Sequence, residues 1–175
     1  GRNPGLVYAS DEHVYAAPEW LDQHADMYDD YPSNGRVYAG EYAGHVPGSG
    51  CAGFNAPQAN VWEGALAEAA FMTGMERNSD IVVMSSYAPL FGRLGYTQWS
   101  PDLIWFDGKR AYATVNYYVQ QLFSLFTGNV VLNTEAEGGL YASATELEGL
   151  VYVKVVNPSD QAEEAAVAGD FGPGS

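Results

Sequence analysis

The sequence is poor in cysteine, in basic residues and in long apolar runs. Cys51 is the only cysteine, so the chain can form no internal disulfide and no thiolate metal cluster, and this thiol reads as incidental rather than nucleophilic. Lys and Arg number 7 against 22 Asp and Glu, a formal net charge of -15. So few cations cannot neutralise a row of phosphates, which argues against nucleic acid and against an anionic membrane surface as partners. No apolar stretch is long enough to cross a bilayer, and the N-terminus carries no signal-peptide pattern. The three histidines, His13, His24 and His45, are scattered without a shared ligand spacing, so no metal site is expected. Both ends, Gly1-Arg2-Asn3-Pro4 and Gly172-Pro173-Gly174-Ser175, read as interior points of a longer protein.

What is present is enough apolar sequence for one core: 47% of 175 residues. Tyrosine is abundant, at 13, with 4 Trp. Aromatic faces stack on the C–H surfaces of sugars, but most aromatic side chains simply fill cores, so the excess is only a hint.

Along the chain, strand and helix patterns alternate. Leu6-Val7-Tyr8-Ala9-Ser10 runs into Asp11-Glu12-His13-Val14-Tyr15 as a strand with polar groups at its end. Pro18 stands where helices start, and apolar residues continue at helical spacing to Met27-Tyr28 before the turn formers Tyr31-Pro32-Ser33-Asn34-Gly35. Arg36 to Tyr42 reads as a second strand, in which Val37 and Ala39 alternate with Tyr38 and Gly40. It delivers Glu41 toward a Gly- and Pro-rich loop from Gly44 to Pro57. Gln58 to Glu76 is the clearest helix, with Asn78 as a C-cap. Ile81 to Tyr87 is a continuous apolar run that reads as a strand buried on both faces. A long loop from Ala88 to Lys109 and a helix from Tyr117 to Phe126 follow, the helix with Val119, Leu122, Phe123 and Phe126 on one face. After Gly128 the period changes to two, in Val130–Leu132, Leu140–Ala144 and Leu150–Val156.

The expected fold class is therefore α/β. Residues 1–127 read as the last three βα units of a (β/α)8 barrel, and residues 128–175 as the truncated start of an all-β sandwich. A complete barrel needs about 250 residues, more than the chain has. No internal repeat suggests a solenoid. In such a barrel the chemistry sits where strands end, so Glu41 is a candidate catalytic carboxylate, although a lone Glu at a strand end is more often a surface residue.

Several motifs occur in fixed order: Asp11-Glu12-His13-Val14-Tyr15, Pro18-Glu19-Trp20, Tyr28-Asp29-Asp30-Tyr31, Gly40-Glu41-Tyr42-Ala43, the helix Ala65 to Asp80, Ser86-Tyr87-Ala88-Pro89-Leu90-Phe91, Trp99-Ser100-Pro101-Asp102-Leu103-Ile104 and Tyr117-Tyr118-Val119-Gln120-Gln121-Leu122-Phe123. From about Val7 to Val156 the chain resembles the C-terminal part of the α-L-arabinofuranosidases of glycoside hydrolase family fifty-one, in the subgroup common among secreted plant, fungal and bacterial members. The resemblance implies a barrel followed by a β-sandwich, and removal of terminal α-L-arabinofuranosyl groups from arabinan- and arabinoxylan-type hemicellulose with retention of configuration. Retention takes two carboxyl groups about 5 Å apart, one attacking the anomeric carbon and one protonating the leaving oxygen. By resemblance Glu41 is the nucleophile, with His13 and Tyr15 beside it and the sugar, a tyrosine hydroxyl holding the carboxylate ionised and aimed. The family's acid/base is a Glu preceded by Asn, and no Asn-Glu pair occurs in this sequence. The chain taken by itself is thus not expected to be a competent glycosidase. The resemblance implies no cofactor and no metal, and it is compatible with a homo-oligomer and with a secreted parent.

Other residues keep plainer readings. Trp99 is either a wall of the sugar pocket or a plug under its loop, with the pocket favoured because the loop follows a strand end. His13 on its own would pass for a core histidine, His24 reads as solvated, and His45 as either loop or site. Glu68 and Glu76 on the long helix are expected to face solvent or bond neighbouring loops. A non-catalytic carbohydrate-binding module would need no carboxylate at a strand end, and a retaining glycosidase of other sugar specificity would differ only in activity on a panel of aryl glycosides.

Overall fold

The computed structural model describes residues 8–48 and 57–169, and Cys51 falls outside them. Its elements are β1 (Ser10–Ala16), α1 (Pro18–Gln23), β2 (Val37–Gly44), a short 3-10 turn (Pro57–Ala59), α2 (Trp62–Arg77), β3 (Val82–Tyr87), β4 (Phe91–Arg93), β5 (Ile104–Phe106), β6 (Ala111–Ala113), α3 (Val115–Leu125), β7 (Val130–Leu132), β8 (Tyr141–Leu147) and β9 (Leu150–Val156).

β1, β2 and β3 lie side by side as a parallel sheet in that order. One face packs on α2: Val37, Ala39, Tyr42 and Ala43 of β2 meet Ala67, Phe71, Met72 and Met75 in the main core, joined by Leu21, Tyr28, Ile81 and Val82. Three of the thirteen tyrosines serve this core. Tyr28, Tyr42 and Tyr87 are buried, with ring centroids 5.9–6.3 Å apart in tilted or edge contacts that run through Phe71. Such pairs contribute about 0.5–1.5 kcal/mol each beyond their area burial.

α2 is buried nearly all round, from Gly64 to Met75 with little interruption. Its small residues admit close neighbours. A Cβ on Gly74 would lie 1.8 Å from the Ala25 carbonyl oxygen, which also accepts from Arg77 Nη2 at 3.4 Å. That carbonyl is turned toward α2, while the Asp29 amide bonds Asp26 instead. The helix expected to run from Pro18 to Tyr28 therefore stops at Gln23 and continues as turns.

Three other expectations need correction. β3 is not buried on both faces: Val83 is 39% and Met84 57% exposed, and the exposed residues run from Val83 to Ser85. The stretch Ala88 to Lys109 is not simply a loop. It contributes β4 and β5 to a small sheet with β6, parallel between β4 and β5 and antiparallel between β5 and β6. Strands of three residues are too short to show a period, and only their pairing defines them. α3 starts at Val115, before Tyr117, because Thr114 Oγ1 caps it by accepting from the Tyr117 amide at 3.1 Å. Val119 and Phe123 pack inward, whereas Leu122 and Phe126, expected on the same packed face, are exposed.

After Gly128 the chain forms an antiparallel sheet in the order β7-β8-β9, with the two-residue turn Glu148-Gly149 joining the last pair. Polar contacts fasten this sheet to α2 and α1. Glu76 accepts from Lys154 Nζ at 2.7 and 2.9 Å and from Ser143 Oγ at 2.5 Å, and the Tyr141 hydroxyl donates to the Asp22 carbonyl.

Candidate active site

The orientation of Glu41 is decided by a register shift. Val37 and Ala39 point into the core, so strict alternation would send Glu41 there too. Instead Glu12 pairs with Ala39 and His13 pairs with Glu41, leaving Gly40 as an extra residue on β2. The parity changes across this bulge, and Tyr42 becomes the next core residue. Glu41 is left on the opposite face, within β2 rather than beyond its end, with its side chain 40% exposed. A carboxyl group at that depth keeps contact with solvent and with anything bound there.

The bulge is bordered by side chains of both neighbouring strands. Gly40's carbonyl accepts from Ser86 Oγ at 2.6 Å, and Ser86 Oγ lies 2.9 Å from the Tyr38 hydroxyl. Above Gly40 stands Asp11: a Cβ there would meet Asp11 Oδ1 at 2.0 Å.

Around Glu41 the predicted side chains converge. The Tyr15 hydroxyl donates to Glu41 Oε2 at 2.5 Å, and His13 Nδ1 lies 3.4 Å from the same oxygen. The other His13 nitrogen, Nε2, lies 3.2 Å from Asp11 Oδ2. Trp99, half-buried, sets its ring edge-on to Tyr15 with centroids 5.2 Å apart. His45 completes the wall, 5.0 Å from Tyr15 and 5.4 Å from Trp99, and burial lowers its pKa below the ordinary histidine value, favouring the neutral ring. Its amide bonds the Ala16 carbonyl at 2.7 Å, which extends the β1–β2 pairing past the strand ends. Asp11 and His45 are the residues that sequence reasoning left without a role. Asp11 carried one usable signal, since it shares strand parity with His13.

His24 is not simply solvated: its ring stacks on Trp20 at 3.8 Å, and its Nδ1 lies 2.8 Å from the Trp20 carbonyl. Glu12 points away from Glu41, accepting from Tyr31 at 2.6 Å and Tyr28 at 3.3 Å. Among the described residues no group of three or more His, Cys, Asp or Glu side chains is arranged to hold a metal ion.

Glu68 departs furthest from the solvated reading, being fully buried on α2. Its carboxylate accepts from the Gly44 amide and from Asn116 Nδ2, both at 2.8 Å. Asn116 in turn accepts from Asn60, which accepts from the Trp105 indole. This chain of bonds ties the end of β2 to α2, α3 and β5. Burial pushes the Glu68 pKa up to about 7, against the opposing pull of Asn116 and Gly44. A carboxyl raised in the folded state binds its proton more tightly than in the unfolded chain. Its contribution to stability is therefore complete below the ordinary pKa of 4.5 and lost as pH rises through about 7. Asp22 and Asp102, both pushed up to about 6 chiefly by burial, act with the same sign. Urea unfolding should accordingly show stability falling between pH 5 and pH 7.5, and Glu68→Gln should reduce that slope. The part removed should be on the order of 3 kcal/mol at most, whatever constant offset the amide adds. An unchanged slope would mean that Glu68 is ionised at both pH values.

Comparison with known proteins bears on what this arrangement does. A family model described as the α-L-arabinofuranosidase C-terminal domain matches residues 40–171. The extracellular exo-α-L-arabinofuranosidase of Streptomyces chartreusis is 43% identical over 127 residues, covering 72% of this chain and 14% of that protein. The α-L-arabinofuranosidase 2 of Arabidopsis thaliana is 35% identical over 166 residues, covering 90% and 23%. A probable α-L-arabinofuranosidase A of Aspergillus terreus is 35% identical over 163 residues, covering 90% and 24%. The chain thus spans no more than about a quarter of the length of these relatives. Among solved structures, an arabinose-bound GH51 α-L-arabinofuranosidase superposes with a TM-score of 0.79 at 35% identity, covering 87% of this chain and 26% of that one. The GH51 arabinofuranosidase of Xanthomonas axonopodis pv. citri, at 14% identity and a TM-score of 0.56, shares the fold.

Proposed function

The chain belongs to the α-L-arabinofuranosidases of glycoside hydrolase family fifty-one, and from that premise we propose that it carries the nucleophile half of a retaining glycosidase site. The carrying observation is the convergence of the Tyr15 hydroxyl and His13 Nδ1 on one oxygen of the accessible Glu41 carboxylate. In this reading β1, β2 and β3 are the last strands of a (β/α)8 barrel, residues 1–127 close that barrel, and residues 128–175 open a β-sandwich. The exposed side of β3 and the outer face of α3 are then the surfaces that the rest of the parent covers.

The chemistry follows from the carboxylate. Both described contacts fall on Glu41 Oε2, which leaves Oε1 as the attacking oxygen. Oε1 bonds to the anomeric carbon as the glycosidic C–O bond breaks, and the departing oxygen takes a proton from a carboxylic acid elsewhere in the parent. Tyr15 and His13 hold the carboxylate aimed before attack. Water, deprotonated by that same acid/base group, then attacks the anomeric carbon from the face the leaving group vacated and releases the Glu41 carboxylate, so configuration is retained. Trp99 and His45 form an apolar wall beside Tyr15 for the sugar ring. The substrates are terminal α-L-arabinofuranosyl groups on arabinan- or arabinoxylan-type chains.

Treating the full-length protein with an aryl 2-deoxy-2-fluoro-α-L-arabinofuranoside tests the assignment. The expected outcome is one fluoroarabinosyl group on the peptide containing Glu41, and the first-formed arabinose from an aryl arabinofuranoside should be the α anomer by NMR. A label on another carboxylate, or a β product, would overturn it.

A further inference from the structure

We infer that Asp11 is a positioning residue for the Glu41 nucleophile, acting through the His13 ring. The inference rests on the reading of Glu41 given above. Asp11 and His13 lie two residues apart on β1 and so share the face that Glu41 reaches, while Glu12 between them serves Tyr28 and Tyr31 on the other. An imidazole ring has two nitrogens and can be aimed only if both are engaged. His13 Nε2 meets Asp11 Oδ2 at 3.2 Å, and Nδ1 meets Glu41 Oε2 at 3.4 Å. With Asp11 accepting an N–H from Nε2, rotation of the ring about its bond to the strand breaks a hydrogen bond as well as the contact to Glu41. The ring is about half exposed, so packing does not immobilise it, and the carboxylate has to.

The second observation is independent of the histidine. Asp11 occupies the space over Gly40 that any side chain there would fill, its Oδ1 2.0 Å from a Cβ position. Gly40 is also the extra residue of the bulge that turns Glu41 away from the core. The missing side chain at 40 thus serves two ends, making room for Asp11 and letting the strand shift its register. Ser86, on β3, holds the bulge through the Gly40 carbonyl. Asp11, on β1, holds the ring.

Asp11 touches no reacting atom in this arrangement, so its removal should impair attack more than binding. In the full-length protein, Asp11→Ala should lower kcat on an aryl α-L-arabinofuranoside by ~10–100-fold, the range expected for a modest misplacement of a reacting group, with KM changed by less than about threefold. Asp11→Ser, which leaves no acceptor at that reach, should behave alike, whereas Asp11→Asn, whose amide oxygen still accepts from Nε2, should keep most of the activity. Two backgrounds separate positioning from a merely structural role. Adding Asp11→Ala to His13→Ala should cost nothing further, because the ring it acts on is gone. Adding it to Glu41→Ala should leave azide-rescued turnover unchanged, because no carboxylate remains to be aimed. If Asp11→Ala and Asp11→Ser both keep full kcat, or lower it equally in all three backgrounds, the positioning role is wrong. If Glu41→Ala itself retains normal turnover, the fault lies in the assignment of Glu41.

Discussion

Glu41→Ala in the full-length protein is expected to lower kcat on an aryl α-L-arabinofuranoside by ~10⁴-fold or more, the scale seen when a covalent nucleophile is deleted. No glycosyl ester can form without it, and neither neighbour can substitute: Tyr15 is a neutral phenol that donates to Glu41, and His13 is flanked by Asp11 on its other side. The substitution removes an accessible side chain from an exposed face, so the fold should survive, with a melting temperature within a few degrees of the parent. Azide should restore part of the turnover. It is small enough to enter the vacated volume, and it attacks the anomeric carbon from the face the carboxylate used, so the product is the inverted β-arabinofuranosyl azide. Unchanged turnover, or rescue giving the retained azide, would remove Glu41 from the nucleophile role.

The second large effect is expected from the chain itself. Assayed beside the full-length protein, the 175-residue polypeptide should give no measurable hydrolysis of arabinan. A natural polysaccharide presents a poor leaving group that has to be protonated as it departs. Among the described carboxyl groups none is placed for that task. Asp11 is engaged by His13, and Glu12 is taken up by Tyr28 and Tyr31 behind β1. Asp102, although pushed up to about 6 by burial, is sealed from solvent with its carboxyl against Gly92. The near-ultraviolet circular dichroism of the polypeptide should be recorded first, so that the missing chemistry is read on a folded chain. Met84, Leu122 and Leu125 are each more than half exposed, and a little non-ionic detergent is advisable against association through them. Cleavage of arabinan at a rate near that of the full-length protein would show that one of these carboxyl groups supplies the proton after all.

The two halves of the site differ in how far local sequence reaches. The strand runs, the long helix with its Asn78 cap, and the change to period two after Gly128 all depend on neighbours a few residues away, and the sequence by itself determined them. So did the candidate quartet Glu41, His13, Tyr15 and Trp99, through motifs whose order needs no coordinates. Which way Glu41 faces was not determined there. Simple alternation puts it in the core with Val37 and Ala39, and only pairing with β1 and β3 inserts Gly40 and reverses the parity. A register shift is a property of strand pairs, so a single strand cannot announce it. Glu68 shows the same divide. A glutamate on a helix reads as solvated because burying its charge is costly. Its donors come from Gly44 and Asn116, 24 and 48 residues away in the chain. Such partners meet only when the strand and both helices have packed, and that meeting makes the buried carboxyl affordable where sequence alone would leave it in water.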